Sequence, residues 1–230
     1  MLLECKNINY QYPGSDTQVF RDLNCRMADP GFHALFGPSG VGKTTLARML
    51  CGQINGFSGQ LVTTGLERIL YSYNLERLPG WSSVGEHLAL NTPDSSRHLV
   101  DELVACFGLA GSMESRFAQL SLGQQNRTNL VRYLLQDFDL LIMDESLANV
   151  DEGTKEKIIL KIKEMFPTRG FFYISHNVVE VAKFCEQIFV LRNFHKVPQA
   201  VVLQGQNYRG GPDVDKKKLE HTMLEIVNAL

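Results

Sequence analysis

The stretch Gly37-Pro38-Ser39-Gly40-Val41-Gly42-Lys43-Thr44 decides how the rest of this chain is read. It matches G-x-x-x-x-G-K-[ST] in full, after a short apolar run at Phe32–Phe36 and before a helical pattern from Lys43 to about Cys51. Glycines let the backbone curl, so that successive N–H groups point inward at phosphate oxygens. The helix that follows adds the positive end of its dipole to the same spot. Lys43 supplies a point charge for the β- and γ-phosphates, and the Thr44 hydroxyl is a ligand suited to Mg²⁺. The pattern implies a nucleoside triphosphate and leaves open which machine uses it.

A second acidic site lies downstream, where the apolar run Leu140-Leu141-Ile142-Met143 leads straight into Asp144-Glu145. A buried strand ending in a carboxylate puts that charge at the C-terminal edge of a sheet, where ligands bind in open α/β folds. Asp144 is expected to hold the magnesium through water. Glu145, one residue on, reaches the attacking water as a general base.

Working outward, Leu2–Tyr10 and Leu23–Met27 read as strands, parted by the turn Pro13-Gly14-Ser15. Ile69–Tyr73, Phe171–Ile174 and Ile188–Leu191 read as further buried strands. Ile158, Ile159, Ile162, Met165 and Phe166 fall on one helix face, and Leu99, Leu103, Val104 and Phe107 form a similar stripe. Strands alternating with helices imply a mostly parallel sheet covered on both faces. The stretch from about Glu76 to Leu135 breaks that alternation and reads as an inserted helical lobe. The tail reads as an amphipathic helix on Leu219, Met223, Ile226, Val227 and Leu230, with Lys216-Lys217-Lys218 as its solvated start.

The bulk properties narrow the class. The chain has 230 residues, 44% hydrophobic and 21% charged, ample to bury a core. A net charge of -2 argues against a nucleic-acid binder with a broad basic face. No apolar run is long enough to cross a bilayer and no signal-peptide pattern opens the chain, so a soluble cytoplasmic protein is expected. Five scattered cysteines without a C-x-x-C pair read as buried reduced thiols.

With the phosphate loop and Asp144-Glu145 in place, the remaining motifs resemble those of the ABC ATPase family over essentially the whole chain. Leu120-Ser121-Leu122-Gly123-Gln124 is similar to its L-S-G-G-Q signature, twenty residues before Asp144. Ala148-Asn149-Val150-Asp151 resembles the D-loop and Ser175-His176-Asn177 the H-loop. Tyr12 stands where the family carries the aromatic that stacks on adenine. The resemblance implies a P-loop NTPase (RecA-like) α/β fold with a mostly parallel sheet, an N-terminal antiparallel β subdomain and an inserted helical subdomain. Residues 1–75 and 136–230 would form the nucleotide-binding core, and residues 76–135 the helical subdomain that carries the signature.

The resemblance also implies a mechanism. Two subunits stack head to tail in an ATP-dependent homodimer, each ATP lying between the phosphate loop of one and the signature of the other. Tyr12, Gly37, Pro38, Ser39, Gly40, Val41, Gly42, Lys43, Thr44, Thr45 and Asp144 bind ATP and Mg²⁺ from one side. Ser121, Gly123, Gln124 and Asp151 belong to the nucleotide sandwich, with Ser121 and the Gly123 N–H meeting the γ-phosphate from the other side; Ser121 is also placed to cap a helix. Lys43, Glu145 and His176 carry catalysis, with Thr44, Asp144 and Asn74 as metal ligands. Two positions depart from the family. Asn74 replaces the Q-loop glutamine, one methylene shorter, so it is expected to act through a bridging water or only when the dimer closes. Leu122 replaces the first signature glycine and adds bulk near the dimer seam.

The segment from Leu75 to Glu86, with Leu78, Pro79 and Trp81, is similar to that of ATPases serving nitrate, sulfonate and taurine importers. This implies a subunit that energises a small-solute importer from the inner face of the cell membrane. It would bind an integral-membrane permease, through Trp81 and Leu78, and touch neither the solute nor nucleic acid. A cell-division or lipoprotein-release ATPase of similar size stays open as a non-transport alternative. A nucleotide sensor with a degenerate site is disfavoured by Glu145 and His176.

Overall fold

The apolar runs become the strands of a six-stranded sheet, with helices on both faces. The computed structural model describes the whole chain except residues 75, 79, 212 and 213; Leu75 and Pro79, of the importer-like segment, lie outside the described residues. Strand order in this sheet is β5(Ile69–Tyr73)-β6(Leu140–Asp144)-β7(Gly170–Ile174)-β3(Gly31–Phe36)-β8(Gln187–Leu191)-β9(Ala200–Gln204). All neighbours run parallel except the antiparallel edge pair of β8 and β9. A second, antiparallel sheet joins β2(Gln18–Met27), β1(Leu2–Gln11) and β4(Ser58–Thr64) in that order.

Side chains along the parallel strands alternate between two cores. Phe32, Ala34, Leu141, Met143, Phe171, Tyr173, Ile188 and Val190 pack on one side with α4(Leu122–Leu134), α5(Glu152–Met165) and α6(Val178–Phe184). Leu35, Leu140, Ile142, Phe172, Ile174, Phe189 and Leu191 pack on the other, against α1(Lys43–Leu50) and the antiparallel sheet. Every residue of β6 and β7 is buried. Both faces of these strands are covered, which is why they read as unbroken apolar runs rather than as alternation.

The antiparallel sheet shows the other pattern. Leu3, Cys5, Ile8 and Tyr10 of β1 face the core, and the step from Cys5 to Ile8 breaks strict alternation. A register shift falls there, with Asn7 at φ 50°, so the bulge returns the apolar side chains to the same face. β2 begins five residues before the expected Leu23, and β4 was not anticipated. The reason is physical: β4 is a largely exposed edge strand whose polar residues leave no burial signal.

Between β5 and β6, neighbours in the sheet, the chain makes α2(Val84–Asn91), α3(Val100–Cys106), short 3₁₀ turns and α4. Leu99 lies in a 3₁₀ turn rather than in α3, while Leu103, Val104 and Phe107 are buried as their spacing predicts. The tail is α7(Lys216–Ala229), capped by Asp215. Its buried face carries Thr222 and Ile226, with Leu219, Met223 and Leu230 packed alongside; Val227 points outward, off the predicted stripe.

Candidate functional site

Sheet register brings the motifs together. Tyr73, Asp144, Ile174 and Leu35 form one row across β5, β6, β7 and β3 at the C-terminal edge. Just beyond that row come Asn74, Glu145, Ser175-His176 and Gly37. Adjacent strands lie about 4.8 Å apart, so residues such as Leu35 and Ile174, 139 positions apart in sequence, meet without any long side-chain reach. Hydrogen bonding continues past the row, from Glu145 N to Ile174 O at 3.1 Å and from Asn74 N to Asp144 O at 3.1 Å.

Gly42 caps α1 at φ 106°, and a Cβ there would lie 2.7 Å from Val19 Cγ1. Only glycine fits both the backbone and the space. The loop thus folds back over Lys43, whose buried ammonium donates to the carbonyls of Gly37 at 2.7 Å and Pro38 at 2.9 Å. Burial lowers the Lys43 pKa, with Asp144 and Glu145 pulling it partly back. A lysine desolvated in this way, with one N–H left over, suits an added anion.

Asp144 Oδ2 accepts from Thr44 Oγ1 and from the Tyr71 hydroxyl, both at 2.8 Å. Burial, then the bond to Asp144, raises the Tyr71 pKa, so the phenol stays a donor. Sequence reasoning missed Tyr71; its signal was the alignment of 69–73 with 140–144, which puts a long phenol two rows below the carboxylate. Glu145 sits at φ 53°, the left-handed region that non-glycine residues rarely occupy. The turn aims its carboxylate at His176, with Nε2 2.7 Å from Oε1. The Tyr12 hydroxyl lies 2.8 Å from Thr45 Oγ1, and the residue is 40% exposed.

These groups border one open cleft of about 350 Å³. It is lined by Tyr12, Val19, Ser39, Gly40, Gly42, Lys43, Thr44, Thr45, Asp144, Glu145 and His176. Val19 was not foreseen. The Thr44 hydroxyl and the Asp144 carboxylate fit a Mg²⁺, which in phosphate sites takes one or two carboxylates and leaves the rest of its shell to phosphates and water.

Gly37, Pro38 and Val41 of the loop, and Asn74, Ser121, Gly123, Gln124 and Asp151, do not line this cleft. Ser121 caps α4 in a reciprocal box with Gln124. A Cβ on Gly123 would lie 2.4 Å from Asn149 O, so α4 begins packed on the loop after Glu145. Leu122 beside it is 53% exposed. Asp151 caps α5 through Thr154 N at 2.9 Å. The carboxamide oxygen of Asn74 accepts from Asn126 Nδ2 at 2.9 Å.

The family model described as ABC transporter matches residues 20–148. The taurine import ATP-binding protein TauB of Pseudomonas entomophila is 29% identical, over 97% of this chain and 93% of that protein. The molybdenum import ATP-binding protein ModC of Saccharophagus degradans is 30% identical, over 81% of this chain and 56% of that protein. The solved structure of a bacterial Atm1-family ABC exporter with ATP bound superposes with a TM-score of 0.74 at 21% identity, over 84% of this chain and 37% of that chain. At that identity the likeness concerns the fold alone.

Proposed function

The chain belongs to the ABC transporter family, and on that premise we propose that it is the ATP-hydrolysing subunit of a small-solute importer. One observation carries the chemistry: Ser39, Gly40, Gly42, Lys43 and Thr44 of the phosphate loop share a cleft with Asp144 and with the Glu145–His176 pair. Support for import comes from the names of the relatives that match over nearly the full chain.

In this reading the backbone N–H groups of residues 39–44 and the Lys43 ammonium bind the β- and γ-phosphates, and Tyr12 packs on the base. Thr44 and Asp144 would hold a Mg²⁺, which when bound neutralises phosphate charge. Glu145 removes a proton from the attacking water as its oxygen bonds to the γ-phosphorus and the bridging oxygen leaves with ADP. His176 holds the Glu145 carboxylate and donates toward the γ-phosphate.

The second half of the site comes from a second copy stacked head to tail. Ser121, Gly123, Gln124 and Asp151 stand apart from the cleft of their own chain, and Leu122 is exposed beside them, as a surface awaiting a partner would be. Residues 76–135 act as the helical subdomain that presents this surface. Its outer side carries Trp81 and Leu90, 81% and 82% exposed, around a groove of about 560 Å³. That groove is our candidate contact for a permease, at the inner face of the membrane. Leu78 packs against the core instead, which leaves Trp81 as the stronger of the two anchors. Among the described residues no helix is long and apolar enough to cross a membrane.

The test has two arms. The purified chain should release phosphate from ATP with Mg²⁺, and tagged chain should carry a multispanning membrane protein out of detergent extracts. Absence of hydrolysis rejects the site; hydrolysis without any membrane partner rejects the transporter role.

A further inference from the structure

Glu180 lies on α6, outside the nucleotide cleft, and is only 7% exposed. Four donors converge on that carboxylate. Tyr173 OH at 2.6 Å and Ser175 Oγ at 2.9 Å reach Oε2; Lys155 Nζ at 2.6 Å and Asn177 Nδ2 at 3.1 Å reach Oε1. Buried carboxylate oxygens are costly to leave without partners, and here both are bonded. The choice of donors is informative, because Ser175 and Asn177 are the two neighbours of His176.

The turn is pinned further from within. Ser175 Oγ accepts from Asn177 N at 3.1 Å, and Asn177 Oδ1 accepts from Val179 N at 2.9 Å and Glu180 N at 3.2 Å. The fourth donor, Lys155, belongs to α5, the element entered directly from the loop that follows Glu145; its N–H bonds Asp151 O at 2.9 Å. One carboxylate therefore ties the His176 turn to α5, the helix that follows the Glu145 loop.

Packing does not fix the His176 ring. It borders the nucleotide cleft on one side and a second cavity of about 210 Å³ on the other, which Glu145 and Glu180 also line. With open space on both sides, the ring keeps its 2.7 Å contact to Glu145 through its backbone anchor.

We propose that Glu180 is a positioning residue for ATP hydrolysis, holding the 175–177 turn so that His176 stays against Glu145. This rests on reading Glu145 and His176 as the hydrolytic pair. Misplacing a reacting group by about 1 Å can cost on the order of 100-fold in rate.

A double-mutant cycle in ATP hydrolysis tests it. Glu180→Gln keeps the shape but removes the charge and turns one acceptor into a donor. The expected result is a kcat lower by about 10- to 100-fold with KM for ATP changed less than about threefold, and no further loss when His176→Ala is already present. Equal losses in both backgrounds, or an unchanged kcat, overturn the inference while leaving the hydrolytic pair standing. Wild-type hydrolysis by His176→Ala alone overturns the pair and the inference with it. If Glu180→Gln does not fold, Ser175→Ala, which removes one donor and the anchor of Asn177 N, runs the same cycle with the same criteria.

Discussion

Asn126 Nδ2 donates to the Asn74 carboxamide oxygen at 2.9 Å, and the same nitrogen donates to Ala148 O at 2.9 Å. One buried amide thus joins the segment after β5, the start of α4 and the loop after Glu145. One turn further along α4, Asn129 donates to Glu76 O at 2.7 Å, and Arg132 and Tyr133 bind the Glu76 carboxylate. Residues 74 and 76 are laced along the helix that begins at Ser121.

That contact sharpens what Asn74 can do for a metal, because the oxygen suited to a cation is already hydrogen-bonded. Asparagine also falls roughly 1.5 Å short of glutamine, the length of one carbon–carbon bond. Mg²⁺ takes short, near-octahedral oxygen contacts, so a ligand that falls short is replaced by water. Asn74→Gln should raise hydrolysis modestly or shift its dependence on Mg²⁺ concentration. Superimposable curves for the two proteins would show that this position stays out of the metal shell and acts through Asn126.

Lys43→Ala should weaken ATP binding by about 10- to 100-fold, since a charge-assisted hydrogen bond contributes about 1.5–3 kcal/mol. Titration calorimetry measures this directly, with a melting curve to verify that the loop carbonyls of Gly37 and Pro38 tolerate the loss. Unchanged affinity would sink the phosphate-loop assignment.

Glu145→Gln keeps the shape of the side chain and removes the base. Hydrolysis should fall by about 100- to 10,000-fold while ATP binding persists. The trapped nucleotide should hold two copies together. Sedimentation that finds only monomer at saturating Mg²⁺ and ATP would count against the two-subunit sandwich.

Gly123→Ala puts a methyl group into the carbonyl of Asn149, a backbone atom that cannot swing aside. The α4 N-terminus is expected to shift, leaving nucleotide affinity of the single chain intact and lowering hydrolysis by the pair. Parallel loss of single-chain binding would place Gly123 within the first cleft instead.

Stability should decline in mild acid because of His33. It is buried on β3, its Nδ1 has no hydrogen-bond partner among the described residues, and burial lowers its pKa below 6.5, with the Asp29 carbonyl and the Glu186 and Asp29 charges opposing. Unfolded chains take up that proton at higher pH than the native state does. The stability is therefore intact above pH 6.5 and is lost as pH falls toward the lower native value. His33→Gln should flatten the slope of denaturation midpoint against pH. A residual slope of the same sign is expected from His87, lowered by burial and by Arg132. An identical slope in the variant would remove His33 as the cause.

Much of this protein is written in local sequence. The phosphate loop specifies itself, because glycines at fixed offsets and a lysine at a helix start meet a backbone requirement that needs no distant partner. Ile69–Tyr73 is recovered at its observed bounds, and the apolar runs ending at Met143 and Ile174 lie within a residue or so of theirs, since burial on both faces leaves an unbroken signal. Thr222 in place of Val227 on the buried face of α7, and the polar edge strand β4, escaped because burial there depends on what lies opposite. The bonds that shape the site escaped for the same reason. Tyr71 to Asp144 spans 73 residues, Asn126 to Asn74 spans 52, and Lys155 to Glu180 spans 25. Each depends on which strands are neighbours, in what register, and on which helix face lands over them, and only the assembled sheet and its covering helices fix those choices.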